Sequence, residues 1–563
     1  MPVKKFGIYL GYPPSVDLRA EGLGRHLAEF LKGAQGRDDV RFVVACPSWL
    51  RANILQLCEA CNVRTEGLEI ISPKSKPLLL QVYQGYLAFK YRPRKAGRRE
   101  GRLARMRRQL GEMLTRLEGR LVSTRSVPLA LLLGSLLGTV FLVFRLCRIP
   151  GTVAPFFQRI GKRIQTRLAA PPPEPPAPSP LTAVEPVDTD RESLIARMYR
   201  LMEESEAALM RSMIEARDDI AAWYSPTAFW PHFNRIRAPR LMCVPDVVLT
   251  DFPTGFALVA GSQLLDNFRH VEKAIIGGEY FVTYSEETKW HTLVERYGAD
   301  PDTVFVVPHG ANRLDDIISV SGFEDNEDAT DTYCRSLLRN ALRKSVNDAY
   351  SSVVISTEIR FIFYASQFRP NKNVLSLLKA YNYLVKRRFI GHKLVLTGRP
   401  LEQSHIKQYI FKNNLQNDVL CLHGLTEQEL AACYRLADLA VNPSLSEGGC
   451  PFTFTEALSV GTPVVMSRIP VTEEVITDPG LQDLTLFDPY DWKDMAGKIE
   501  WALARRELLV ARQMPFYNKL AQRTWRNVVD EYVAVLEHIS GGAPTDHEHV
   551  QGLADPGVRR TCA

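Results

Sequence analysis

Pro443–Met466 reads "PSLSEGGCPFTFTEALSVGTPVVM" and sets two glutamates, Glu447 and Glu456, on either side of a Gly-Gly turn. The apolar "LADLAVN" before it predicts a strand, "FTFTEALSVG" a helix start, and "TPVVM" the next strand. Gly448 and Gly449 permit positive φ or close backbone approach in the turn. Free N–H groups at the helix start suit an anion. The carboxylates repel phosphate, so sugar hydroxyls are their better partners. A plainer assignment has Glu456 capping its helix and Glu447 solvated.

The same rhythm extends outward from this stretch. "FIFYAS", "NVLSLLKAYNYLVKR", "HKLVLTG" and "VLCLHG" predict an α/β domain over 350–515. Between its first strand and helix, the loop "SQFRPNKN" carries Arg369 and Lys372, cations suited to a diphosphate. At the other end of the chain, "FGIYLG", "VRFVVAC" and "LEIIS" alternate with helical patterns. That alternation stops near 75 and resumes with "RLMCVPDVVLTD", "EYFVTYS" and "VFVVPHGAN". Residues 1–75 and 225–325 are therefore expected to form one Rossmann-like domain, doubly wound around a parallel sheet. Two such domains would face each other across a cleft at the strand C-terminal ends, where these folds bind ligands. A helix over 516–540 is expected to cross back to the first domain, with a flexible tail at 541–563.

The interruption has its own character. The chain of 563 residues has a net charge of +7, yet 90–125 alone carries 13 Lys or Arg against three Glu. The rest of the chain is slightly acidic. Val127–Phe144, "VPLALLLGSLLGTVFLVF", is 18 residues without a charge, marginal against the ~20 that a spanning helix needs. A single crossing would put the strands of one sheet on opposite sides of the bilayer. A helical insert over 76–170, associating monotopically with a membrane through 90–165, is the expectation, since the arginines would hold anionic headgroups. A buried hairpin in a soluble protein is the alternative. The Pro-rich 171–190 reads as a linker and 191–224 as a helical segment. No aromatic interleaving accompanies the basic run, so nucleic acid is not expected as a partner.

Ten cysteines in a chain this long are not a disulfide framework. Cys58 and Cys61 form a lone CxxC in a helical pattern, and no second pair follows at zinc-ligand spacing. "DTD", Asp188–Asp190, reads as a helix cap rather than a metal site. The chain opens "MPVKKFGIYLGY" with no signal peptide, and a reducing cytoplasm is expected.

Taken together, these stretches resemble the retaining family-4 glycosyltransferases of the GT-B fold. "EGGCPFTFTEALSVGTPVV" matches the family's two glutamates and following "EA…G.PVV", with one extra residue between the glutamates. "VVPHGANRL", "SQFRPNKN" and "HGLTEQELAACYRLADLAVNPS" match further segments in order. In the phosphate loop, the Arg falls two places late and Gln367 stands in its usual position. The resemblance implies that Glu456 binds ribose and that Glu447 lies near the donor sugar or its phosphates. It implies that Arg369 and Lys372 neutralise the diphosphate. "EGLGRH" resembles the first-domain loop that approaches the donor, with Gly22 and Gly24 permissive. "CVPDVVLTD" resembles the family's "HD" segment, but Pro245 occupies the His place. Asp246 and Asp251 are then acceptor-side candidates or ordinary strand-end caps.

The implied activity is hexosyl transfer, with retention, from a GDP- or UDP-linked sugar such as GDP-mannose. The acceptor would be lipid-linked or a growing polysaccharide at the cytoplasmic face of the inner or plasma membrane. The scheme calls for no metal and no cofactor, the nucleotide sugar being a substrate. The departures in register leave a second option, a non-catalytic GT-B scaffold that anchors an assembly complex.

Overall fold

The structure is a computed structural model and describes residues 3–14, 16–20, 22–77, 194–252, 255, 263–344, 359–398 and 405–541, with a few isolated positions between 80 and 135. The expected insert, the Pro-rich linker, the "DTD" stretch and the tail therefore lie almost wholly outside the described residues.

Strand β1 (Lys4–Tyr9) pairs in parallel with β2 (Val40–Ala45) on one side and with a strand more than 170 residues later on the other. Helix α1 (Gly22–Ala34) connects β1 to β2, and α2 (Arg51–Ala60) connects β2 to β3 (Glu69–Ile71). Cys58 lies on the buried face of α2 and Cys61 follows its end. The chain rejoins the sheet after α3 (Leu194–Glu215), through β4 (Ala222–Ser225) and β5 (Arg240–Cys243). Helix α4 (Gln263–Ile276), β6 (Tyr280–Thr283) and β7 (Val304–Val306) complete the domain. The sheet order is β3-β2-β1-β4-β5-β6-β7, all parallel. Strands such as β2, buried at every position but Arg41, are apolar because both faces are covered.

Strands before and after the interruption share this sheet. No described helix is long and apolar enough to cross a membrane. The sequence reading carries its helical segment to residue 224, and here the structure differs. The helix stops at Glu215, and Ala222–Ser225 becomes the strand beside β1. The intervening "RDD" explains it: Asp219 accepts from Lys5 and Arg217, fixing a turn, and "AWYS" then enters the sheet fully buried.

The acidic stretch at 324–331 is the start of α5 (Asn326–Leu342), capped by Asp325. The second sheet begins with β8 (Phe361–Tyr364). It is followed by α6 (Val374–Arg387), β9 (Lys393–Thr397), α7 (His405–Lys412), β10 (Val419–Leu422) and α8 (Glu427–Leu436). Strand β11 (Leu439–Asn442) leads through the opening stretch into α9 (Phe452–Ser459) and β12 (Val464–Ser467). Helix α10 (Pro470–Val475) and strand β13 (Leu486–Phe487) finish the sheet, in order β10-β9-β8-β11-β12-β13.

Helices α11 (Trp492–Ala504) and α12 (Arg506–Ala521) cover the second domain. The expected single crossing helix is broken at Thr524, whose hydroxyl caps a new helix, α13 (Trp525–Ile539). Helix α13 packs on α1 and β4, burying Val528, Val529, Tyr532 and Leu536 in the first domain's core. Each buried Val or Leu among them contributes ~1.5–3 kcal/mol, so α13 fastens the two domains together.

Candidate active site

Both sheets reverse direction once, between β1 and β4 in the first and between β8 and β11 in the second. Loops leaving the carboxyl ends of strands at such switch points form the ligand crevice of an open α/β sheet. The loop after β8 carries Arg369 and Lys372. The loop after β11 carries Glu447, Gly448 and Gly449.

These two loops are laced together. The Leu445 N–H donates to the Asn371 carbonyl at 2.7 Å, and the Asn371 amide reaches the Ser446 carbonyl at 3.4 Å. Asn373, at φ 51°, ends the "PNK" turn and begins α6. Lys372 is thereby held against Glu447, Nζ to Oε1 2.6 Å, with both side chains less than a fifth exposed. Arg369 is exposed and donates to the Gln367 side-chain oxygen at 3.1 Å. Glu447 is thus neutralised rather than solvated.

Glu456 is the fifth residue of α9, so it is not the cap of that helix. Only 3% exposed, it accepts from Arg25 of α1 at 3.2 Å and from the Asn312 amide at 3.1 Å. Its two partners come from the first domain and from the segment that leaves it. Sequence reasoning missed both, although Arg25 stands inside "EGLGRH" and Asn312 inside "VVPHGANRL". Nothing in their spacing from Glu456 signals the contact.

The Gly-Gly turn works by close approach, not by positive φ, since neither glycine is in the left-handed region. A Cβ on Gly448 would lie 1.9 Å from the Pro245 carbonyl oxygen, and one on Gly449 2.8 Å from Tyr284 Cβ. The Gly448 carbonyl accepts from Ser285 Oγ at 3.0 Å. Beside it, the Glu474 carboxylate of α10 accepts from the Glu286 and Glu287 N–H groups at 2.9 and 3.0 Å. The turn thus seats the second domain on the strand ends of the first. Behind it, His26, Tyr284, His309, Phe452 and Trp525 form an aromatic seam. Burial, with His309 nearby, holds His26 neutral by lowering its pKa to about 3. Its Nε2 is 3.1 Å from the Tyr284 hydroxyl.

Asp246, in the loop after β5, faces the cleft from the first domain. Burial pushes its pKa up to about 6, with Lys372 and Arg369 opposing the shift and Glu447 and Asp251 reinforcing it. Asp251 instead pairs with Arg296 at 2.8 Å. Gly24 gives α1 room against the Leu18 carbonyl, which a Cβ would meet at 1.8 Å, while Gly22 faces open space. Among the described residues, no group of three or more His, Cys, Asp or Glu is placed to hold a metal ion.

Residues 350–514 match the family model of group 1 glycosyl transferases. The chain carries a group 1 glycosyltransferase domain. That domain contains Arg369, Lys372, Glu447 and Glu456, whereas Arg25 and Asp246 lie outside it. Among curated proteins, an O-antigen chain mannosyltransferase B from Escherichia coli is 29% identical over 178 residues, 31% of this chain and 44% of the relative. A lipopolysaccharide 1,2-N-acetylglucosaminetransferase from Salmonella typhimurium is 25% identical over 209 residues, 36% of this chain and 52% of the relative. The chain thus spans about half the length of these relatives. The structure of the Anabaena protein HepE in complex with UDP and glucose superposes with a TM-score of 0.50 at 13% identity. That superposition covers 95% of this chain and all of the other. It supports the GT-B arrangement of two Rossmann-like domains, the second of which is the group 1 domain.

Proposed function

We propose that this protein is a retaining glycosyltransferase that moves a hexose from a nucleotide-diphosphate sugar to a glycan or lipid-linked acceptor. The observation that carries the reading is Lys372. It stands at the switch point of the group 1 domain, paired with Glu447 and electrostatically coupled to Asp246 across the cleft.

As the sugar leaves its nucleotide it becomes oxocarbenium-like, while negative charge grows on the diphosphate. In this reading the diphosphate displaces Glu447 from Lys372, and Arg369 adds a second cation. Charge aimed at the departing group stabilises the transition state more than the ground state. Glu447, freed of Lys372, accepts hydroxyls of the donor sugar. Glu456 accepts the ribose hydroxyls, and Gly448 and Gly449 bring the backbone close. Asp246, with a pKa near 6, is suited to take the acceptor hydroxyl's proton at neutral pH. Gly22 and Gly24 shape the facing loop.

The mannosyltransferase relative supports mannose as the transferred sugar, and the N-acetylglucosaminetransferase relative supports N-acetylglucosamine as the second trial, each offered as its GDP- and UDP-linked forms. Their roles in O-antigen and lipopolysaccharide synthesis support a membrane-borne glycan as acceptor. The basic, apolar 90–165 supports monotopic attachment at the cytoplasmic face. The second reading, a scaffold without donor binding, draws on one observation: Lys372 and Glu456 are both already bonded within the protein.

Radiolabelled GDP- and UDP-sugars incubated with a membrane lipid extract test the proposal. Transfer of label, lost in Glu456→Ala, is the expected result. If neither nucleotide series raises the melting temperature and no label moves, the scaffold reading replaces it.

A further inference from the structure

Helix α6 begins at the cleft, immediately after Lys372 and Asn373, and runs away from it. Lys379, Asn382, Tyr383 and Lys386 are spaced three, four and seven apart, so they share one face of the helix. At ~1.5 Å per residue, that stripe and Arg387 lie roughly 9–21 Å along the axis from Asn373. Tyr409 and Asn413, from α7 and the turn after it, and Trp492 of α11 supply the remaining walls. They line a cavity of about 510 Å³, within the ~300–1,000 Å³ range of small-molecule sites.

The lining is chemically one-sided. It contains three cations and no carboxylate. Among the described residues, Lys379 and Arg387 have no hydrogen-bonding or ionic partner, and Lys386 is bonded only to the Asn413 carbonyl. Neighbouring carboxylates are committed elsewhere, Glu500 to Arg388 and Asp418 to Lys393. Lys379, Lys386 and Arg387 are exposed, so their charges are free to meet an anion that enters, with charge-assisted hydrogen bonds as the gain. The Asn382 side-chain oxygen is buried there without a hydrogen-bond partner, an acceptor that costs free energy until a donor reaches it. Tyr383, 37% exposed, stands edge-on to Trp492 with centroids 5.8 Å apart. Aromatic rings offer apolar faces with a polar edge, the surface that the C–H face of a sugar ring covers. Cations for acid groups, an amide oxygen for a hydroxyl and rings for C–H faces describe one kind of ligand.

We propose that this cavity is a second glycan-binding site, for a chain whose sugars bear carboxylate or phosphate groups. It would hold such a chain beside, and not within, the donor cleft. The proposal rests on the reading of the acceptor as a glycan and adds the charge of that glycan and the surface that grips it.

The test uses the full chain and four probes: tetragalacturonate, a mannotetraose phosphate, neutral maltotetraose, and vesicles of mixed neutral and anionic phospholipid. Tetragalacturonate or the phosphorylated tetrasaccharide is expected to bind at least tenfold more tightly than maltotetraose, and the stronger of the two identifies the acid group. Lys379→Glu with Arg387→Glu is expected to weaken that binding at least tenfold. Trp492→Ala, which leaves every charge in place, is expected to weaken it at least threefold. GDP and UDP binding should be unchanged in all variants. Equal affinity for charged and neutral tetrasaccharides overturns the proposal, as does unaltered binding in the variants. Vesicle binding that the charge reversal abolishes, without oligosaccharide binding, overturns it in favour of a lipid surface. Nucleotide binding fails independently: a chain that binds tetragalacturonate but no nucleotide loses the transferase reading and keeps this site.

Discussion

Arg25 of α1 donates to Glu456 of α9 at 3.2 Å, across 431 residues of sequence and between the two domains. The carboxylate is almost wholly enclosed while the Arg25 side chain as a whole is 43% exposed, so the pair joins a buried acid to a half-exposed arginine. In the proposed function, donor binding at Glu456 is thereby tied to the relative placement of the domains.

Removing Arg25 leaves that acid with the Asn312 amide as its remaining hydrogen-bond donor among the described residues. Arg25→Met should cost ~1–3 kcal/mol, the range for an under-satisfied buried polar group. Chemical denaturation reads the loss, and Glu456→Gln in the same chain should recover part of it. Strict additivity in the double-mutant cycle would show that the two side chains are not coupled.

Lys372→Met removes the cation that the proposed mechanism aims at the departing diphosphate, while keeping the length of the side chain. A fall of ~10²–10³ in kcat is expected, as for the loss of one electrostatic stabiliser. The donor KM should change less, and circular dichroism should match the parent protein. A kcat within twofold of the parent would remove Lys372 from the chemistry.

Gly448→Ala forces a methyl group against the Pro245 carbonyl. The second domain should stay folded, because its own core is untouched, but nucleotide binding should weaken, since Glu456 loses its placement against Arg25 and Asn312. The domains should stand further apart, seen as a larger radius of gyration in X-ray scattering, with activity reduced more than tenfold. An unchanged radius with full activity would show that the turn relaxes locally.

Asp246 and His26 impose opposite pH dependences. The folded-state pKa of Asp246 is raised to about 6, so its contribution to stability is greatest below about pH 4 and is lost as pH rises through 6. The folded-state pKa of His26 is lowered to about 3. Its contribution is present above about pH 6.5 and lost as pH falls toward 3. Comparing melting temperatures between pH 4 and 7, Asp246→Asn should raise the relative stability at pH 7, and His26→Phe should raise it at pH 4. Activity should also fall on the acid side with an apparent pKa near 6 that Asp246→Asn abolishes. An unshifted acid limb in that variant would assign the titration to another group.

Alternation of short apolar strands with helical patterns was enough to read two parallel sheets, because strands covered on both faces must be apolar throughout. The strand–turn–helix around Glu447 and Glu456 and the loop of Arg369 and Lys372 were legible for the same local reason. Strand β4 was not. "AWYS" is four residues long and follows a 22-residue helix, and only its place beside β1 makes it a strand. The break at Thr524 was likewise decided by where Trp525–Ile539 could be buried.

The sequence by itself determined which residues stand at the strand ends, since that depends on periodicity and turn chemistry within a few residues. Tertiary structure alone decided what those residues face. Glu456 meets Arg25 and Asn312, Glu447 meets Lys372, and the Gly-Gly turn meets Pro245 and Tyr284. Such pairings depend on how two sheets fold against each other over hundreds of residues, and no local pattern encodes a distance across a cleft.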